Sequence, residues 1–332
     1  MKEYFAIILF VIAVSFFSSR IIFEKKRGFF RFAGVEIFIL GVILSFVFSE
    51  QDFLTSLWPL IVFALAFAGF SFGIQFEKGI LKAIRAKSFI YGFLVSLNFF
   101  LFLFILRFFY PFDMAIPLSA IFSIPSSTVL FSIKKGKRPV ISGELSIALV
   151  LIYYSVAMYG FKGVLISVVL GLAGFLIIPF EHILKKIEMY ILFFGFLLLV
   201  ASLSQMFNTS IILSAFFMGF VVAFFSTPRY SSAIVRRIEQ PLFLSLLFSS
   251  GLFFHLGSVV IFLFLIGYTF IRFFFVFPLF KKKSIFFIPI GALSIALSIE
   301  IKASYIVTFT AISYFILLVV FEFFHRRGEW AT

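Results

Sequence analysis

The sequence predicts an all-α integral membrane protein of about 13 transmembrane helices: two inverted six-helix repeats joined by one helix, with broken helices paired at spans 5 and 12. Three observations carry this expectation. The composition is too apolar for a water-soluble core, with 63% hydrophobic and 13% charged residues and a mean hydropathy of +1.21; soluble domains carry about 25% charged residues. Basic residues collect in every second loop. Proline interrupts two spans that hold equivalent places in the two halves.

A spanning helix needs about 20 mostly apolar residues. Apolar runs between charged or Pro/Gly breaks begin near residues 3, 34, 54, 88, 113, 142, 162, 188, 208, 241, 258, 284 and 304. The connections are short, and none leaves room for a soluble domain. The first run is expected to be retained rather than cleaved as a signal peptide. Its n-region carries only Lys2, no small-x-small site follows it, and "SRIIFEKKRGFFR" stops it with basic residues.

The loops after the odd-numbered spans hold Arg20, Lys25, Lys26, Arg27 and Arg31, then Lys78, Lys82, Arg85 and Lys87, then Lys134, Lys135, Lys137 and Arg138. Lys185, Lys186, Arg229, Arg236, Arg237, Lys281, Lys282, Lys283, Arg326 and Arg327 continue the series. The opposite loops hold only Lys2, Arg107, Lys162 and Lys302, and Arg272 lies inside span 11. Cytoplasmic loops concentrate Lys and Arg, so the alternation predicts an outside N-terminus and a cytoplasmic C-terminus. It also accounts for the formal net charge of +14 without nucleic acid, for which no recognisable fold surrounds a basic run.

The expected organisation is a first repeat over 1–160 (spans 1–6), a linking helix over 161–187 (span 7), a second repeat over 188–325 (spans 8–13) and a short cytoplasmic tail, 326–332. Inverted repeats of this kind place a transport site between paired, interrupted helices. Span 5 contains "FSIPSSTVLFSI" and span 12 contains "FFIPIGALSIALSI". Pro125 is followed by Ser126, Ser127 and Thr128; Pro289 is followed closely by Gly291, Ala292 and Ser294. A mid-helix proline removes one backbone donor and frees a carbonyl, and in lipid those groups must be satisfied by protein or cavity water. Ordinary kinks are the competing explanation. A weaker echo links "FSFGIQFEKG" in span 3 with "FSSGLFFHLG" in span 10.

Other chemistries find little support. There is no cysteine, and the histidines His182, His255 and His325 are scattered, so neither disulfide nor metal-ligand spacing is present and no cofactor is expected. No HExxH, Ser–His arrangement, paired acids or phosphate-cradling loop argues for an enzyme.

Taken in order, "SIPSSTVLFSI", "SQMFNTSIILSAFFMGFVVA", "PLFLSLLFSSGLFFHLG" and "PIGALSIALSI" resemble segments of the monovalent cation/proton antiporter superfamily, of the thirteen-helix sodium/proton or potassium/proton exchanger type. The resemblance spans nearly the whole chain. It implies a dimer domain and a mobile core domain, a homodimer in a bilayer, and alternating-access transport of Na+ or K+ with protons. The expected location is a prokaryotic inner membrane.

Two departures stand out. The family's sixth helix opens with a glycine and carries an Asn/Gln/Asp–Asp pair about three turns later. Here the glycine matches Gly143, and the pair falls on Tyr153 and Tyr154. The family often has arginine before the "GA" pair, where this chain has Ile290. The chain therefore resembles a divergent member whose proton coupling is altered or absent. Arg272, in "YTFIRFFFVF", matches a basic residue that is thought to stabilise the family's core; the alternative is an arginine snorkelling to the "KKK" loop. Substitute carboxylates are Glu36 and Glu144 on the cytoplasmic side, Asp113 and Glu300 at outer ends, and Glu322 at the inner end of span 13. Most read as water-accessible boundary charges, and Glu144 is the candidate for an inner vestibule. A non-transporting binding or regulatory paralogue, or a carrier of an organic anion drawn to helix N-termini, are the other functions open to such a chain.

The topology has a direct check. Single cysteines introduced at Lys134 and Lys281 are expected to react with impermeant maleimide only when the cytoplasmic face is opened. Labelling of both from outside intact cells would reverse the orientation.

Overall fold

The protein was analysed as a computed structural model that describes residues 33–47, 50–76, 86–126, 137–182, 186–225, 242–253, 291–301 and 304–326, with 267–268, 271–272, 274 and 276–278. Among these residues every regular element is helical. The helices are α1 (Ala33–Val47), α2 (Glu50–Ile74), α3 (Ala86–Ser96), α4 (Asn98–Leu106), α5 (Phe112–Ser123) and α6 (Lys137–Gly171). Two short 3₁₀ segments, Leu172–Leu176 and Ile178–His182, extend α6. Then come α7 (Lys186–Met206), α8 (Ile211–Phe225), α9 (Leu242–Leu252), α10 (Ala292–Glu300) and α11 (Ser304–Arg326).

Three stretches are long and apolar enough to cross a membrane: Leu57–Ile74, Ala86–Leu106 and Val140–Phe180. The third is two helices that meet at Gly160, whose φ of 70° and ψ of 175° break the helical path. Only glycine adopts that backbone region readily. The break falls where the sequence places the boundary between spans 6 and 7. Shorter apolar helices follow the remaining runs: Val35–Phe46, Phe112–Ser123, Ile191–Met206, Ile211–Phe225, Leu242–Leu252 and Ile306–Leu317. Large apolar side chains such as Phe46, Phe104, Phe161 and Ile191 point outward, as lipid-facing positions do.

With lipid outside, burial of apolar surface gives little reason for helices to associate; close van der Waals packing does the work, and small residues permit it. Two such contacts organise the interior. A Cβ on Gly73 would run into the Phe216 carbonyl, and one on Gly219 into the Phe70 carbonyl. On the other side, a Cβ on Gly251 would run into the Phe38 carbonyl, and one on Gly41 into the Phe248 carbonyl. The second contact is the first with every residue replaced by one at a single constant sequence offset: Phe38 for Phe216, Gly41 for Gly219, Phe70 for Phe248, Gly73 for Gly251. The span 3–span 10 echo marks half of each contact. Gly69 also abuts Ile212, one turn before the Gly73–Phe216 contact on both helices. α2 and α8 therefore run in the same direction.

Serines in these apolar helices bond backwards to their own backbone. Ser119 donates to the Ala115 carbonyl, Ser123 to Ser119 (2.6 Å), Ser204 to Val200 (2.7 Å) and Ser249 to Ser245 (2.8 Å). The hydroxyls are thereby satisfied without water.

The glycine contact predicts a steep steric cost. Gly219→Leu is expected to lower the thermal stability of the detergent-purified protein by at least about 1–3 kcal/mol, the usual range for overpacking. Gly195→Leu, at a site where a Cβ meets nothing within 4 Å, should leave it nearly unchanged.

Candidate functional site

α5 and α10 are too short to cross a bilayer. Their 12 and 9 residues span roughly 18 and 14 Å at about 1.5 Å per residue, against a hydrocarbon core of about 30 Å. The C-terminal end of α5 and the N-terminal end of α10 meet. The chain leaves α5 at Ile124 in extended geometry, with φ −83° and ψ 112°. A Cβ on Gly291 would sit 2.9 Å from the Ser126 Cα and 3.5 Å from the Pro125 carbonyl oxygen. Only a residue without a side chain allows that approach. Beyond the contact the helices run side by side in opposite senses, and the Ser294 hydroxyl lies 3.4 Å from the Ile121 carbonyl. The negative end of one helix dipole therefore lies beside the positive end of the other.

An α-helix leaves its last carbonyls without partners. Arg272 supplies partners at the end of α5. One terminal nitrogen donates to the Phe122 carbonyl at 2.7 Å and reaches the Ile124 carbonyl at 3.5 Å; the other donates to the Ser123 carbonyl at 3.2 Å. The guanidinium is fully buried. It is turned into the protein, not toward the basic loop beyond span 11. Tyr268, one helical turn earlier, takes a further hydrogen bond from it and packs its ring on Phe122 and Phe102, at 4.9 and 5.6 Å between centroids. The Arg272 Nε has no hydrogen-bond partner.

Tyr153 and Tyr154 are separated by the helix itself, since adjacent residues project about 100° apart. Tyr153 turns to the α3–α4 junction, 3.4 Å from the Ser96 hydroxyl and 5.0 Å, ring to ring, from Phe100. Tyr154 turns inward and is 1% exposed. Its ring meets Tyr159 edge-on at 6.2 Å, and the Glu300 carboxylate is within electrostatic reach of both phenols. Tyr154 is thus fully buried, and Tyr153 is half-buried against the core.

The carboxylates also differ from their reading as boundary charges. Glu36 and Asp113 are exposed, as expected. Glu300 is instead tied to the start of α8: it accepts from the amides of Ile211 (2.6 Å) and Ile212 (3.4 Å) and from the Ser210 hydroxyl (3.2 Å). A carboxylate at a helix N-terminus is favoured by the free amides and the dipole. Glu144 is 1% exposed, and neither of its oxygens has a hydrogen-bond partner. Ser127, Thr128, Pro289 and Ile290, and the side chain of Glu322, lie outside the described residues.

Several participants had no sequence signal. Tyr268, Tyr159 and Ser210 read as ordinary members of apolar runs. So did Asn98, which is fully buried with both amide atoms unpartnered, on the same face of α4 as Phe102. Helical spacing from Arg272 would have pointed to Tyr268, but nothing local marks the others. Among the described residues no group of His, Asp and Glu is placed to hold a metal ion.

Replacing Arg272 with methionine should leave the α5 carbonyls without donors, at about 1–3 kcal/mol for each unsatisfied group. The melting temperature of the purified protein is expected to fall clearly for Arg272→Met and less for Arg272→Lys, which keeps the charge but loses the fork. No protein-family model matches the chain, and neither does any curated protein.

Proposed function

We propose that the chain is a secondary membrane transporter that moves a small monovalent cation, Na+ or K+, by alternating access. The observation that carries this reading is the meeting of two interrupted helices at Ser126 and Gly291, with a buried arginine on the freed carbonyls. An apolar protein has no structural need to stop two helices inside itself and then bury a cation to repair one of the ends. A polar point between opposed half-helices is, however, what an ion-conducting core requires. The offset-related glycine contacts support two inverted repeats, and the sequence resemblance agrees with both. The same reading places the protein in a prokaryotic cell membrane as a homodimer, with its N-terminus outside.

Proton coupling in this proposal is altered, because it does not run through position 154. A phenol ordinarily titrates near ~10, so a phenolate at pH 7 costs about 4 kcal/mol at about 1.36 kcal/mol per unit. Tyr154 therefore offers a neutral oxygen where the resemblance implies an aspartate. That same replacement favours the second reading, a binding or regulatory protein on a transporter scaffold, which would hold an ion or a partner without turnover.

Flux separates the two. Vesicles containing the purified protein are expected to take up Na+ or K+ along an imposed gradient, and Tyr154→Phe to retain that uptake. Tyr154→Asp should shift its pH dependence, because an aspartate adds a group able to trade a proton for a cation. Absence of Na+, K+ and Li+ movement under every gradient would leave only the non-transporting reading.

A further inference from the structure

Among the described residues, two inward-facing carboxyls are treated in opposite ways. Glu300 accepts two amides and a hydroxyl at the start of α8. Glu144 is more deeply enclosed, at 1% exposure, and receives nothing on either oxygen. Ionised carboxylates are rarely left so, because an unpaired buried charge costs several kcal/mol. Such a group is stable as the neutral acid, or as the anion with a cation beside it.

Among the described side chains, the surroundings supply no cation. α6 packs against α3, α5, α7 and α8. The described titratable side chains on those helices are Lys87 and Tyr91 on α3, Asp113 on α5 and Glu188 on α7, while α8 has none. Lys87, Asp113 and Glu188 are exposed. None of the four bonds to Glu144. On α6 itself, the described titratable side chains Tyr153, Tyr154, Tyr159 and Lys162 lie about two and a half turns or more away.

Its position on the helix ties it to the interior. Glu144, Ile147, Leu151 and Tyr154 recur at three- and four-residue spacing and are all buried, so they form one stripe. The opposite side of α6 is taken by α3, through Ser142 to the Ser88 carbonyl (3.2 Å) and Leu145 against Gly92. Ten residues of helix put Glu144 about 15 Å from Tyr154, on the side where the charge pattern places the cytoplasm.

We propose that Glu144 is a proton–cation exchange site, a carboxyl that keeps its proton when empty and releases it when a monovalent cation binds. The carboxyl O–H bond breaks, the proton leaves to water on the cytoplasmic side, and the bound Na+ or K+ balances the carboxylate charge; no electron moves. As a step in transport this rests on the transporter reading, and it moves the acid that position 154 lacks to another point on the same stripe. As a binding site it stands on the burial and the missing partners alone.

The test uses the purified full-length protein and dicyclohexylcarbodiimide, which modifies protonated carboxyls in apolar surroundings. Peptide mass spectrometry is expected to find the label on Glu144, increasing as pH falls and reduced severalfold by added Na+ or K+. Glu300, saturated with donors, should label weakly. A Glu144 that stays unmodified at every pH, or whose labelling ignores Na+, K+ and Li+ alike, overturns the proposal. Vesicle flux distinguishes this from the transporter reading. Cation-protected labelling without any flux keeps the site and removes transport, whereas proton-coupled flux that survives Glu144→Gln keeps transport and removes the site.

Discussion

The backbone amides and carbonyls released when two helices stop inside an apolar protein are the constraint on which the rest of this structure depends. Water cannot reach them, so the protein must. At the end of α5 it uses a fully buried arginine on the carbonyls of Phe122 and Ser123. At the start of α10 it uses glycine, which lets the chain close on Ser126. Tyr268 packs its ring beside the guanidinium, and the rings of Phe102 and Phe122 pack against Tyr268. A buried charge of this kind is costly on its own, and it is tolerable here because partial charges of the opposite sign converge on it.

A second constraint is the absence of a hydrophobic drive between lipid-facing helices. Glycine meets carbonyl at two contacts whose residues correspond at one sequence offset. One contact joins α2 to α8 and the other joins α1 to α9, so helices far apart in the sequence are interlocked. Back-bonding to the helix backbone satisfies serines such as Ser119, Ser123 and Ser204, while the buried hydroxyls of Ser71, Ser155, Ser167 and Ser313 have no partner. A few groups escape this rule, notably Asn98 and Glu144.

Of the unpartnered groups Glu144 is the informative one, because a carboxyl can ionise where a hydroxyl or an amide cannot. Glu300 and Glu144 are chemically the same group. One completes a helix terminus, and its role is explained by the amides it accepts. The other has no structural task that any described neighbour reveals, which is why a transient partner, a proton or a cation, accounts for it better than packing does.

The sequence by itself determined the class of the protein and much of its layout. Composition points to an apolar chain of the kind a membrane holds, and hydropathy runs located the described helices, including the break at Gly160. Periodic features of this kind are local and repeat along the chain, so they can be read without neighbours. The proline-marked break in span 5 was legible for the same reason, and the span 3–span 10 echo showed half of the glycine packing. The partners of Arg272, Glu300 and Tyr154 were decided only by tertiary structure. Each bonds or faces groups far away in the chain, and several of those groups are backbone carbonyls or amides that every residue possesses. Burial of Glu144 was likewise invisible, since a glutamate near a helix start is usually solvated. Only the packing of α3, α5, α7 and α8 around α6 removes the water.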